Sequence, residues 1–284
     1  MGGLSVKPAP FAYAKARSVE QAVALLGENK EARLLAGGQS LIATLNMRLS
    51  APSLLIDING IDGLDGITKK GDAIEIGALT RHAAAERSET IARYVPLIAR
   101  AMPHIGHVAI RNRGTLGGSI AFADPAAELP ACLLALDGEV EASGPTGRRT
   151  IKADDFFKGL FETALASSEM LTAIRVPAAG EDTRVGFAEL ARRHGDYAIV
   201  GLAASARAEG KSLADVRLAF FGVGATPMRA KKSEAALAGG DAEAAVAALD
   251  LDPPDDVQAS GAVKKHLAGV LLKRVAKRLM EGKP

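Results

Sequence analysis

Leu34-Leu35-Ala36-Gly37-Gly38-Gln39-Ser40-Leu41 and, further on, Thr115-Leu116-Gly117-Gly118-Ser119 are the stretches from which the fold is read. Each sets a glycine pair beside hydroxyl side chains. The first follows a short apolar run of strand length. The second precedes Asp124-Pro125, where the Asp can cap a helix and the Pro can take its first position. Glycine has no Cβ, so its backbone accepts positive φ and lets another group come close. Successive N–H groups in such a loop can converge on one anion, and Ser40, Thr115 and Ser119 add hydroxyl donors. Two donor-rich loops suit the diphosphate of a dinucleotide. Glycine pairs are also common in plain turns, and either loop alone reads more readily that way. No Gly-x-Gly-x-x-Gly fingerprint and no Walker A loop occurs, so a Rossmann fold lacks its usual signature.

Outward from these loops the chain mixes strands and helices. Ser18 and Gln21 form a capping-box pattern ahead of a helix over 19–27, with Val19, Ala22, Val23 and Leu26 on one face. Short apolar runs at 33–36, 54–57 and 73–77 have strand length. Residues 80–102 read as helix with a break near Pro96, and a helix from Pro125 to Leu136 follows the second glycine cluster. Strands are expected at 139–142, 149–151 and 171–176. Pro177–Asp182 reads as a linker. Beyond it come strands near 185–191, 197–208 and 216–223, then helices near 231–237, 242–249 and 262–280. Strands followed by helices make an α+β unit, and the chain divides into residues 1–178 and 179–284.

The 284 residues are 48% hydrophobic and 24% charged, enough for a sizeable core and a solvated surface. A net charge of +2 gives no reason to expect a nucleic acid partner. The single cysteine, Cys132, lies in the apolar Ala131-Cys132-Leu133-Leu134 and reads as a core residue. Alone it cannot hold an iron–sulfur cluster. No apolar run is long enough to span a bilayer, and Met1–Pro8 lacks the h-region of a signal peptide. The cytoplasm is the expected location, without integral membrane contact. His104 and His107 stand three apart, a spacing open to metal, but Pro103, Gly106 and the lack of a third ligand favour a loop. Arg111 and Arg113 read as a phosphate clamp or, equally well, as a solvated or interdomain pair. No general base and no nucleophile stands out as catalytic.

Several stretches together resemble the FAD-binding medium subunits of the molybdenum hydroxylases, the carbon monoxide, xanthine, nicotine and caffeine dehydrogenase group. They are 35–41, 110–119, Ala123-Asp124-Pro125-Ala126-Ala127-Glu128-Leu129-Pro130, Asp155-Phe156-Phe157-Lys158-Gly159, Arg192–Ala198 and His266–Leu271, in family order over almost the whole chain. The resemblance implies a two-lobed FAD-binding domain of the vanillyl-alcohol oxidase type, then a C-terminal three-stranded antiparallel sheet with helices. It implies non-covalent FAD, with Leu34, Leu35, Ala36, Gly37, Gly38, Gln39, Ser40 and Leu41 as one cofactor-binding segment and Thr115, Gly117, Gly118 and Ser119 as another. Glu128 matches an acidic position near the nucleotide ribose. Leu171 matches an apolar residue beside the isoalloxazine, and Asp196 and Tyr197 match a segment that reaches the ring from the C-terminal domain. Each has a plain alternative: a helix-terminal charge, a strand core leucine, a half-exposed tyrosine.

The sequence departs from the family at three points. Ser119 replaces a common Asn, Phe122 a common His, and Ala188 stands where xanthine dehydrogenases carry Lys, which favours the carbon monoxide dehydrogenase-like branch. The resemblance also implies partners: a large subunit with the molybdenum cofactor and a small subunit with two [2Fe–2S] clusters, in a dimer of heterotrimers. This chain's FAD would collect electrons from the clusters and pass them to an external acceptor. Competing readings are a self-contained FAD-dependent oxidase or reductase and a non-enzymatic interaction subunit.

Overall fold

Residues 7–210 and 212–282 are described in the computed structural model, so most of the Met1–Pro8 stretch lies outside them. The chain begins with β1 (Ala12–Lys15), α1 (Val19–Glu28), β2 (Ala32–Leu35), α2 (Leu41–Asn46) and β3 (Leu54–Asp57). The three strands form a parallel sheet in the order β1-β3-β2. Ser18 caps α1 by accepting from the Gln21 N–H at 3.1 Å, and Gln21 Oε1 reaches back to the Arg17 N–H at 2.8 Å. The helix turns Ala22, Val23 and Leu26 onto the sheet residues Leu54 and Ile56.

A second sheet follows. β4 (Ile67–Lys70) and β5 (Ala73–Gly77) lead into α3 (His82–Glu86), α4 (Glu89–Tyr94), α5 (Pro96–Ala101), α6 (Val108–Arg113), α7 (Leu116–Phe122) and α8 (Glu128–Ala135). Then come β6 (Glu139–Gly144), β7 (Gly147–Lys152), α9 (Ala153–Phe156), the hairpin β8 (Phe157–Gly159) and β9 (Glu162–Thr163), and β10 (Met170–Pro177). The order β4-β5-β10-β6-β7 is antiparallel throughout.

The C-terminal part holds β11 (Thr183–Ala191), β12 (Ala198–Glu209), β13 (Ser212–Phe221) and β14 (Met228–Arg229), then α10 (Lys231–Ala238), α11 (Ala242–Ala247) and α12 (Gly261–Glu281). One face of this sheet, with Ala203, Ala219 and Phe221, joins the core that contains α8. The other, with Val200, Leu202, Ala204 and Phe220, is covered by α10 and α12. Ser205 Oγ donates to the Ala135 carbonyl at 2.6 Å and Arg217 Nε to the Leu134 carbonyl at 3.0 Å. The C-terminal end of α8 is thus tied directly to the sheet.

Four expectations are corrected. The C-terminal sheet has four strands, not three: β14 is a two-residue edge paired through Ala219 with Arg229 and Phe220 with Met228. Residues 80–102 break into α3, α4 and α5, because Ser88 and then Pro96 each start a new helix. The helix expected from Pro125 begins at Glu128. Asp124 spends its carboxylate on the Ala126 N–H at 2.9 Å and its carbonyl on the Ala127 N–H at 3.1 Å, which makes a turn rather than a cap. Finally, Leu116–Ser119 is not a loop before a helix but part of α7 itself, capped by Thr115, whose hydroxyl accepts from the Gly118 N–H.

Gly201 in β12 is tightly enclosed: a Cβ there would sit 1.9 Å from Cζ of the buried Phe221 ring. Overpacking a core costs about 1–3 kcal/mol, so Gly201→Ala should lower the thermal unfolding midpoint by several degrees in calorimetry. An unchanged midpoint would show that the ring is free to move.

Candidate functional site

The first glycine segment leaves β2 at Leu35 and enters α2 at Leu41. Gly38 has φ +74°, a conformation costly for any side chain with a Cβ. Among the described residues no hydrogen bond engages the N–H groups of Gly37, Gly38, Gln39, Ser40 or Leu41. Ser40 heads α2 without a side-chain cap bond. Five successive donors are therefore open, and Gln39 Nε2 folds back onto the Gly37 carbonyl at 3.1 Å.

The second segment is different. Its Leu116, Gly117 and Gly118 N–H groups donate to Thr80 O at 3.0 Å, Ala78 O at 3.0 Å and Thr115 Oγ1 at 3.1 Å. Its glycines serve close packing. A Cβ on Gly117 would lie 2.6 Å from the Ala78 Cα, and one on Gly118 would lie 2.6 Å from Thr115 Oγ1. Thr115 is itself only 2% exposed, its hydroxyl engaged by the Gly118 N–H, and the half-buried Ser119 carries the more accessible hydroxyl of the segment.

The two segments touch. A Cβ on Gly37 would meet the Arg113 carbonyl at 2.3 Å, and Ala36 Cβ lies 3.9 Å from the Cβ position of Gly118. Two residues that sequence reasoning missed hold them in place. Asn59 Nδ2 donates to the Leu35 and Ala36 carbonyls at 3.2 and 2.9 Å, and Asn59 Oδ1 accepts from Arg81 Nη2 at 2.7 Å. Arg81 Nη1 donates to the Arg113 carbonyl. Behind Asn59, Asp57 accepts from its N–H at 2.9 Å and from the Tyr13 hydroxyl at 2.6 Å. Ile58-Asn59-Gly60 reads as a turn in sequence, and nothing local marks Asn59 as a brace.

Beyond α7 lies the rest of the predicted set. The Tyr197 hydroxyl, from the turn between β11 and β12, faces the Asp124 carboxyl. Tyr197 is 58% exposed, and Asp196 is exposed beside it. Leu171 is buried in β10 at a break in the pairing with β6, and Thr172 O accepts from the Ala78 N–H at 3.0 Å. Ala78 in turn receives Gly117, so the strand of Leu171 backs directly onto α7. Glu128 is buried at the start of α8. Burial, reinforced by Glu189 and Asp124, pushes its carboxyl up to about 8, against the pull of its own backbone N–H and His104. It is neutral at pH 7 and can donate as well as accept, unlike the carboxylate that the sequence implied.

His104 is no metal ligand pair with His107. Its Nδ1 stands 3.2 Å from Glu189 Oε1, and that bond raises the imidazole pKa. Glu128, Glu189 and His104 thus make a titratable cluster between the two parts of the chain, which the sequence did not reveal because its members are far apart. Of the arginine pair, Arg111 is neither clamp nor solvated: it is buried, with Nε 2.9 Å from Glu86 Oε2 and Nη1 on the Ile105 and Gly106 carbonyls. Arg113 is exposed. A cavity of about 500 Å³ near Tyr94, Pro177, Ser205 and Arg229 includes none of the predicted site residues. Among the described residues no group of three or more His, Cys, Asp or Glu could hold a metal ion, and no helix is long and apolar enough to cross a membrane.

Comparison with known proteins bears on this geometry. Residues 9–179 match the family described as the FAD binding domain in molybdopterin dehydrogenase, and residues 186–279 match the CO dehydrogenase flavoprotein C-terminal domain. The chain is 39% identical to the 6-hydroxypseudooxynicotine dehydrogenase complex subunit alpha of Paenarthrobacter nicotinovorans, over 98% of each chain. It is 37% identical to the carbon monoxide dehydrogenase medium chain of Hydrogenophaga pseudoflava, over 94% of this chain and 96% of the relative. A solved carbon monoxide dehydrogenase from Hydrogenophaga pseudoflava, lacking the Mo-pyranopterin moiety of its molybdenum cofactor, superposes with a TM-score of 0.94 at 37% identity, over 98% of this chain and 99% of the other.

The state of Glu128 has a measurable consequence. Its folded pKa is raised above the unfolded value, so its contribution to stability is full at low pH and is lost as pH rises toward and through about 8. Glu128→Gln removes that loss. In flavin-free protein the variant should gain stability relative to wild type between pH 5 and pH 8, by at most about 1.4 kcal/mol per pH unit. A gap in unfolding free energy independent of pH would refute a buried neutral carboxyl.

Proposed function

The chain belongs to the FAD-binding medium subunits of the carbon monoxide and xanthine dehydrogenase family of molybdenum hydroxylases, and from that premise we propose how it holds its cofactor and where it stands in the electron path. The open N–H groups of Gly37 to Leu41 carry the proposal. Five neighbouring donors without a partner, on a backbone bent by Gly38 and fixed by Asn59, suit a diphosphate. The Thr115 and Ser119 hydroxyls add to them from α7, where Gly117 and Gly118 keep the surface bare. Leu34 to Ala36 form the strand end beneath. Glu128 reaches the ribose as a neutral acid, Leu171 supports the ring from β10, and Asp196 and Tyr197 approach it from the C-terminal domain.

In this proposal residues 1–178 form a two-lobed FAD-binding domain of the vanillyl-alcohol oxidase type. Residues 179–284 form the C-terminal domain, whose three long strands and two-residue edge carry Tyr197. Bound FAD supplies a centre that takes electrons singly and releases them to an acceptor. The chain's one cysteine, fully buried Cys132, cannot supply an iron–sulfur cluster. The electrons therefore arrive from [2Fe–2S] clusters in a small partner subunit, after substrate hydroxylation in a large subunit holding the molybdenum cofactor. The assembly is a dimer of such heterotrimers in the cytoplasm.

Reconstituted with FAD, the purified chain should bind it stoichiometrically and release it in acid; folded protein that takes up none would overturn the proposal. Asn59→Ala removes two hydrogen bonds to the loop, each worth about 1 kcal/mol, and should weaken FAD affinity by up to roughly thirtyfold. Equilibrium titration checks this, and unchanged affinity would relieve Asn59 of the role. In FAD-depleted complex, substrate should still bleach the iron–sulfur bands in stopped-flow spectroscopy while delivery to the acceptor fails. Bleaching that requires FAD would place the flavin upstream of the clusters. Turnover of an organic substrate by the isolated chain would favour a self-contained oxidase or reductase instead.

A further inference from the structure

Phe161 is an exposed aromatic residue in a backbone conformation that aromatic residues avoid. It occupies the tip of the β8–β9 hairpin, where Gly159 pairs with Glu162 and Leu160-Phe161 form the connection. Its φ is +56°, in the left-handed region, where a bulky side chain is strained relative to glycine. The turn nonetheless holds a ring that is 51% exposed, next to Leu160 at 62%. A tip with no task beyond reversing the chain is better served by glycine.

The Phe161 ring rests on Phe122, with centroids 5.1 Å apart and planes inclined by 57°. Phe122 is the last residue of α7, the helix that opens on the second glycine segment. The next residue, Ala123, is also left-handed at φ +53°, and then comes Asp124, against which Tyr197 stands. Segment 122–124 therefore carries two half-exposed aromatic rings, Phe161 from the N-terminal part and Tyr197 from the C-terminal part. Through α7 this segment runs on from Thr115–Ser119, which packs against the first glycine segment where Ala36 Cβ lies 3.9 Å from the Cβ position of Gly118. Flat aromatic surfaces with one side left free suit a planar aromatic ligand, which they bind by stacking or edge contact.

We propose that Phe161 is a second aromatic wall for the isoalloxazine ring of FAD, alongside Tyr197, and that it governs how closely an external electron acceptor approaches that ring. The inference rests on the proposed FAD site and adds a residue and a function to it. The aromatic Phe122 is the platform on which Phe161 sits.

The test uses the full chain reconstituted with FAD, in wild-type form and as Phe161→Gly and Phe161→Tyr. Glycine is the residue the +56° backbone favours, so the first variant keeps the turn and removes only the ring. All three proteins should bind stoichiometric FAD. Phe161→Gly should alter the visible circular dichroism of the bound flavin. It should also speed reoxidation of the dithionite-reduced protein by ferricyanide by roughly threefold or more, while its unfolding midpoint stays level or rises. Phe161→Tyr should restore both wild-type signals. If Phe161→Gly changes only the unfolding midpoint, or nothing, the ring does not meet the flavin and the inference falls while the FAD site stands. If the wild-type chain takes up no FAD, the site itself fails and this inference falls with it.

Discussion

The Asn59 side chain holds the proposed site together. It is short, and its amide both donates and accepts. The donor side pins the end of β2 through Leu35 and Ala36, and the acceptor side receives Arg81, which also reaches the Arg113 carbonyl ahead of α7. Two segments nearly eighty residues apart are thereby fixed against each other. Asp57, receiving the Tyr13 hydroxyl and the Asn59 N–H, closes the network from behind and lies near enough to Arg81 to favour its charge. Such a network orders the loop before any ligand arrives, so binding does not bear the cost of ordering it.

The same economy explains the glycines. Gly37 and Gly117 leave no room for a Cβ because protein backbone already occupies the space: Arg113 O against one, the Ala78 Cα against the other. They let strand, loop and helix approach within van der Waals contact, so that the first glycine segment lies against the one that carries Thr115 and Ser119. Gly38 alone is needed for its positive φ. A motif that looks like one device for gripping a phosphate is two devices, one for packing and one for presenting donors.

Much of the fold was legible because its signals are local. The cap at Ser18, the strand runs at 54–57 and 73–77, the break at Pro96 and the three long C-terminal strands all follow from neighbours in sequence. The misses share a cause. Helix α7 carries two glycines in seven residues, a composition that disfavours helix in isolation. It forms because Thr115 caps it locally and Ala78 packs against it, the second set by tertiary structure. The four-stranded sheet was underestimated because Met228-Arg229 is too short to show alternation. The family resemblance supplied the site residues that pattern could not. Neither pattern nor resemblance singled out Asn59, Arg81 or the Glu189–His104 pair, whose partners lie far along the chain.

That cluster shows how the C-terminal domain enters the chemistry of the first. Glu189 projects from β11, His104 from the turn after α5 and Glu128 from the start of α8, where the two parts of the chain share one core. With Glu189 beside it in a dry interior, Glu128 keeps its proton at neutral pH. In the proposed site an ionised group there would repel the cofactor's phosphates, whereas a neutral acid could both accept from and donate to ribose hydroxyls. In the proposed site, docking of the C-terminal part would therefore set the charge at Glu128 as well as bring Tyr197 against Asp124.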